Sequence, residues 1–191
     1  MYEIVTPRPA ATLILVRDGQ AGLEVLLGEK TSKVNFAAGA FVFPGGALDS
    51  TDLGTNFVLS GTLTDDGANQ ILGVYDGALS YWIAAIRECF EEVGILFAKP
   101  ADSLLFAQDE FVAFRAQKRD DLLREEIAFQ EIVKEGNLVL EADQLHYFSR
   151  WITHAGSPRR YDTRFFIAQM PQDQVAQHDG GELVDHCWLT P

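Results

Sequence analysis

The sequence predicts a mixed α/β domain in which β-strands surround one strongly patterned helix. Three observations lead there. A strand–turn–strand pattern opens the chain, Ser80–Val93 repeats apolar residues at helical spacing, and two strand-like runs and a final strand close it. The 191 residues, 47% of them hydrophobic, suit one domain, 1–191, with a substantial core.

The opening pair is read from β-forming residues at Ala10–Arg17, a turn at Asp18–Gly22 and a returning strand at Leu23–Leu27. After a polar loop, Phe41–Phe43 forms a short strand that stops at Pro44-Gly45-Gly46, where paired glycines let backbone approach a ligand. Leu48 to about Gly77 is polar and weakly periodic, so loops with at most a short strand are expected. In Ser80–Val93, Ile83, Ile86, Phe90 and Val93 recur at steps of three and four as one core-facing stripe, and Gly94 ends the helix. Ile95–Ala98 reads as a buried strand. Ser103–Gly136 reads as two helices, with Leu104, Phe111, Phe114, Leu122, Leu123, Ile127 and Ile132 as core positions and Arg124, Glu125 and Glu126 on a solvated face. Leu145–Thr153 and Tyr161–Met170 flank a Gly-Ser-Pro-Arg-Arg turn, and Leu183–Leu189 is the last strand.

The 28 acidic and 15 basic residues give a net charge of −13, a field that repels nucleic-acid phosphates and tolerates a cation held by carboxylates. Cys89 and Cys187 are too few for a disulfide framework or a zinc knuckle and read as reduced thiols. His146, His154, His178 and His186 are too scattered along the chain to suggest a metal site. The apolar run Ala10–Val16 is too short for a membrane span, and no leader or lipidation motif is visible, so a cytoplasmic location and no membrane partner are expected.

Chemistry concentrates in Arg87-Glu88-Cys89-Phe90-Glu91-Glu92-Val93-Gly94-Ile95. At 3.6 residues per turn, Glu88, Glu91 and Glu92 cluster on the helix face opposite the apolar stripe. Such a cluster is self-repelling unless a cation bridges it, and hard oxygen donors suit magnesium or manganese. The alternative is a solvated acidic face partly paired to Arg87.

This segment resembles the core of the Nudix signature. The upstream half, a glycine, five intervening residues and then an acid, is matched by Gly46 and Asp52, with Asp52 where glutamate is usual. Between Asp52 and Arg87 lie 34 residues instead of seven, an insertion placed at about 53–79. A signature split at this point resembles the peroxisomal-type coenzyme A diphosphatases and their bacterial relatives. VFPGGALD, YWIAAIRECFEEVGILFA and WITHAGSPRRYDTRFFIAQMP extend the likeness, from Ala10 to Trp188.

The resemblance implies a Nudix fold, a mixed sheet sandwiched between helices, with the inserted segment and an extra helical block at about 103–136. It implies that Glu88, Glu91 and Glu92 bind Mg²⁺ or Mn²⁺ and handle the attacking water. The Gly46 carbonyl completes the metal shell, and Arg87 holds the glutamates. Glu182 is either a distal catalytic carboxylate or an exposed loop acid. Lys30, Lys33, Arg159, Arg160 and Arg164 are candidates for pairing substrate phosphates. Relatives carry an Arg-Ser pair before the signature, where this chain has Lys30-Thr31. The implied activity is hydrolysis of coenzyme A or its acyl esters to adenosine 3′,5′-diphosphate and phosphopantetheine. Alternatives are ADP-ribose, NADH or another nucleoside diphosphate derivative as substrate, or a binding module without turnover. The implied partner is a nucleotide-derived small molecule; a homodimer is compatible with the sequence.

Overall fold

The computed structural model of the protein describes residues 5–32, 38–53, 56–102 and 105–191; Lys33, Ser103 and Leu104 lie outside them. Its organising strand is β1 (Arg8–Gly19), whose apolar residues Ala11, Leu13 and Leu15 are fully buried. A two-residue turn, Gln20-Ala21, returns the chain as β2 (Gly22–Lys30), with Gly22 at φ 119°, a conformation that favours glycine. β3 (Phe41–Val42) pairs with β2, and β4 (Gly45–Ala47) pairs with Ala10–Thr12 of β1. β2 and β4 thus share one edge of β1, β2 along its C-terminal half and β4 nearer its start.

On its other edge β1 runs parallel to β8 (Tyr161–Gln169), which pairs antiparallel with β7 (His146–Ile152). β9 (Leu183–Leu189) adds to β2. The result is the mixed sheet expected, in the order β3-β2-β1-β8-β7 with β4 and β9 off that path.

Four helices are formed among the described residues: α1 (Asp65–Leu72), α2 (Leu79–Val93), α3 (Gln108–Leu123) and α4 (Phe129–Glu135). α2 lies against β1 and β4, with α1 and α3 packed against α2. The opposite sheet face, carrying Phe148, Trp151 and Phe165, borders a cleft. None of these helices is long and apolar enough to cross a membrane.

Several elements differ from expectation. The insertion contains a helix, α1: Thr64 caps it by accepting from the Gly67 N–H, two aspartates occupy its first turn, and Gly73 closes it at φ 64°. Ile95–Phe97 is buried but not a strand, because the Gln174 amide accepts from Leu96 N–H and donates to Leu96 C=O. The strand begins later, as β5 (Ala98–Pro100), and pairs with β6 (Leu138–Leu140) in a second small sheet. Leu123, expected in the core, is 40% exposed at the end of α3, whereas Ile132 is fully buried. α2 is buried nearly all round, with Ala84, Ala85 and Cys89 joining the predicted stripe, since it has neighbours on both sides. Burial also pushes the Cys89 thiol well above its ordinary range, so it stays protonated and inert.

Candidate active site

The site is assembled where α2 crosses β4. Pairing of β4 with β1 sets the Gly45-Gly46 backbone against the last two turns of α2. The Gly45 N–H donates to Glu92 Oε2 at 2.9 Å. The other Glu92 oxygen, Oε1, is buried and has no hydrogen-bond partner. A Cβ at Gly46 would fall 2.5–2.7 Å from the Glu88 carboxylate atoms, so only glycine lets that side chain rest against the backbone here.

Arg87 organises the acids. Its Nε and Nη2 donate to the two oxygens of Asp52 at 2.9 Å each. Nη1 donates to Glu88 Oε1 at 2.9 Å and to Glu91 Oε2 at 3.1 Å, and Nη2 also reaches the Ala47 carbonyl at 3.1 Å. All five guanidinium N–H groups are thereby used, the fork geometry that lysine cannot reproduce. Asp52 additionally accepts from the Asp49 N–H at 2.7 Å and is 1% exposed.

The Arg87 guanidinium faces three carboxylates, those of Asp52, Glu88 and Glu91, while Glu92 is bonded to the Gly45 N–H. Burial pushes Glu88 up to about 7; the Arg87 charge opposes this and the Glu91 charge adds to it. Glu92 is raised well above the ordinary range by burial and by Glu88, and Glu91 is raised by burial despite Arg87. Burial therefore makes negative charge on these three carboxylates costly. An orphaned carboxylate oxygen, a glycine cradle and an excess of hard oxygen donors together fit a divalent cation.

The three glutamates do not converge on one point, however. Glu88 and Glu92 sit at Gly45-Gly46, while Glu91 turns to Arg87 and to a surface hollow beside Leu122 and Glu131. α3 holds this end of α2 in place. Arg119, 9% exposed, donates to the Glu91 carbonyl from Nε (3.2 Å) and Nη2 (3.0 Å) and covers Gly94, whose φ of 72° closes the helix. No sequence pattern singled out Arg119; its spacing of four from Arg115 on an otherwise charged helix was the available signal.

Glu88 and Gly46 open onto a cleft of ≈ 1020 Å³ whose floor is the bare sheet face. Ile14, Val42, Phe148, Trp151 and Phe165 line its apolar part, and Lys30, Arg159 and Glu182 line its rim. Phe148 and Trp151 are 62% and 69% exposed, an unusual placement for large aromatics. Lys30 pairs with Glu182; burial lowers its pKa, but the Glu182 hydrogen bond and charge outweigh this and raise it.

Two of the proposed phosphate-binding arginines are elsewhere. Arg164 is 2% exposed because strand alternation sends it to the α2 side of β8, where it pairs with Asp162 at 2.6 Å and lies over Tyr81. Its neighbours Tyr161, Thr163 and Phe165 face the cleft instead. Arg160 is tied to the Val5 and Thr153 carbonyls and does not line the cleft.

The raised Glu88 carboxyl makes a prediction without substrate. The folded protein keeps a proton up to about pH 7 that the unfolded chain releases near 4.5, so this group makes metal-free stability fall as pH rises across that window. Glu88→Gln removes the effect. Urea unfolding in the presence of a chelator is expected to show the variant gaining on the parent from pH 4.5 upward, by up to about 3 kcal/mol above pH 7. A stability difference that stays constant with pH would contradict the assignment.

Residues 63–191 match the family described as the NUDT19 Nudix domain. Acyl-coenzyme A diphosphatase NUDT19 of Xenopus laevis is 28% identical over 200 residues, covering 88% of this chain and 53% of the relative. The Homo sapiens protein of that name is 26% identical, covering 89% and 54%. The chain spans about half the length of these curated relatives. Among solved structures, a NUDIX hydrolase from Alicyclobacillus acidocaldarius superposes with a TM-score of 0.68 at 27% identity, over 97% of this chain and 80% of the other. A MutT/nudix family protein from Enterococcus faecalis shares the fold at 12% identity and a TM-score of 0.50, over 98% of this chain and 45% of that one.

Proposed function

The chain belongs to the Nudix hydrolase family, in its NUDT19 branch, and from that premise we propose that it hydrolyses the diphosphate of coenzyme A or an acyl-coenzyme A. The products are adenosine 3′,5′-diphosphate and phosphopantetheine or its acyl ester. The observation that carries the reading is the pairing of Glu88 and Glu92 with the Gly45-Gly46 backbone at the mouth of a large, half-apolar cleft.

Glu88, Glu92 and the Gly46 carbonyl are the groups that would hold the cation, with Glu91 available to a second one. Bound magnesium or manganese supplies charge neutralisation at the phosphate oxygens and a lowered pKa for attached water. Arg87 fixes the rotamers of Glu88 and Glu91, so the carboxylates are preorganised. Glu88 has one oxygen bonded to Arg87, leaving Oε2 to hold or accept a proton near neutrality. Lys30 and Arg159 stand at the rim as cationic partners for phosphate oxygens. The aromatic trough of Phe148, Trp151 and Phe165 suits the pantetheine arm and an acyl chain, which a compact nucleoside diphosphate lacks.

The test is a panel of coenzyme A, a long-chain acyl-coenzyme A, ADP-ribose and NADH, each assayed with magnesium for the products of diphosphate cleavage. Coenzyme A species are expected to have the highest kcat/KM, with Trp151→Ala raising KM for the acyl ester about tenfold or more while sparing ADP-ribose. Higher kcat/KM for ADP-ribose or NADH would shift the reading to a different nucleotide diphosphatase. Absence of turnover on the whole panel would favour a binding module.

A further inference from the structure

Away from the cleft, the fold brings together two histidines that are eight residues apart in sequence. A ring nitrogen of His178, a ring nitrogen of His186 and a carboxylate oxygen of Asp185 lie within 4.8 Å of one another, and the ring centroids are 5.8 Å apart. Among the described residues this is the one group of three such side chains with donors so close. Both Nδ1 atoms are shielded from solvent and neither has a hydrogen-bond partner. Leaving two imidazole nitrogens dry and unpaired is costly for a protein, and a ligand that satisfies both at once removes the cost.

We propose that His178, Asp185 and His186 form a transition-metal site, of zinc type, separate from the carboxylate centre on α2. Two imidazoles and a carboxylate are a borderline donor set that suits Zn²⁺, Co²⁺ or Ni²⁺, in contrast to the all-oxygen set at Glu88 and Glu92. The unpaired Nδ1 atoms are the natural ligand atoms. Three protein donors leave a further position on the ion for water. Donors around a tetrahedral zinc ion with bonds of 2.0–2.1 Å are about 3.3 Å apart, so the rings draw in by side-chain rotation as the ion binds. The strongly negative chain favours cation entry.

The position of the site gives it a consequence. His178 precedes β9, whereas Asp185 and His186 lie on it, paired with Glu29 and Gly28 of β2. Between them the Asp179 carboxylate accepts from the N–H groups of Gly181, Glu182 and Leu183, forming the turn that carries Glu182 to Lys30 at the cleft rim. An ion gripping both ends of this turn fixes where Glu182 stands.

The experiment uses the full chain, stripped of metal, titrated with zinc against a chromophoric chelator. The Glu88→Gln/Glu92→Gln double variant serves as background, so that the carboxylate centre does not contribute. One zinc per chain is expected in that background, weakened at least about tenfold by His178→Gln or His186→Gln. Should either histidine variant fold poorly, a second measurement needs no substitution: zinc is expected to protect His178 and His186, but not His154, from diethyl pyrocarbonate, as mapped by mass spectrometry. Binding unaffected by the histidine variants, zinc lost with the two glutamates, or equal labelling with and without zinc would each overturn the proposal. None of these outcomes bears on diphosphate hydrolysis, which is assayed with magnesium.

Discussion

Glu92→Gln is expected to lower kcat by at least ~10³-fold while making the metal-free protein more stable. The two effects share one cause. Glu92 is 4% exposed, accepts from the Gly45 N–H with one oxygen and leaves the other unpartnered inside the protein. Burial and the neighbouring Glu88 charge both raise its pKa, so an ionised carboxylate at this position costs folding free energy. Glutamine keeps an acceptor for Gly45, is nearly isosteric and removes the charge. A protein has no structural reason to retain the acid there, and a cation-binding enzyme does. Steady-state kinetics with saturating magnesium and urea unfolding with a chelator read the two halves separately. Near-normal kcat would remove Glu92 from the chemistry, and a less stable variant would mean that the carboxylate is satisfied by a partner within the protein.

The main elements of this fold could be read from the sequence where their patterns were local and long. The β1–β2 hairpin, α2, β7, β8 and β9 lie close to where periodicity and turn residues placed them. The elements missed are short or depend on distant partners. α1 has eight residues and buries only Ala68, Asn69 and Leu72, too little for a visible stripe, and its capping residues Thr64 and Gly73 gain meaning only once the helix between them is known. β4 is built on Gly45-Gly46, residues that signal a strand's end when their pairing with β1 is unknown. β5 and β6 are three residues each, and Gln174, far along the chain, decides that Leu96 is not part of a strand.

The site follows the same logic. The acids of α2 were evident from spacing, but spacing on one helix says nothing about what faces it. That Glu92 and Glu88 meet the two glycines while Glu91 turns aside depends on where β4 lies. Arg164 was misjudged for a related reason. Alternation shows that Arg164 opposes Tyr161, Thr163 and Phe165 across the strand, yet the sequence does not say which of the two faces is covered by α2.

The second large effect concerns the residue that rejoins a divided motif. Asp52 and Arg87 are separated by the insertion containing α1, and the sequence alone gives no means of knowing whether the two halves still meet. They meet through a two-pronged ion pair with both distances at 2.9 Å, in a position where Asp52 is 1% exposed. Removing one partner of a buried pair strands the other, and Arg87 already commits its remaining N–H groups to Glu88, Glu91 and Ala47. Asp52→Ala is therefore expected to cost about 3–5 kcal/mol, read as a lowered urea midpoint at unchanged slope. That is a large share of the ~5–15 kcal/mol typical of a folded domain. Activity should fall as well, through kcat more than KM, because a guanidinium freed from Asp52 no longer fixes the Glu88 and Glu91 rotamers. Asp52→Glu restores the carboxylate but adds a methylene to a filled space, at a cost of about 1–3 kcal/mol. It is thus expected to keep more activity than Asp52→Ala. If Asp52→Ala unfolds at the parental midpoint, the ion pair does not hold the two halves of the motif together, and the insertion must be anchored by the packing of α1 on α2 instead.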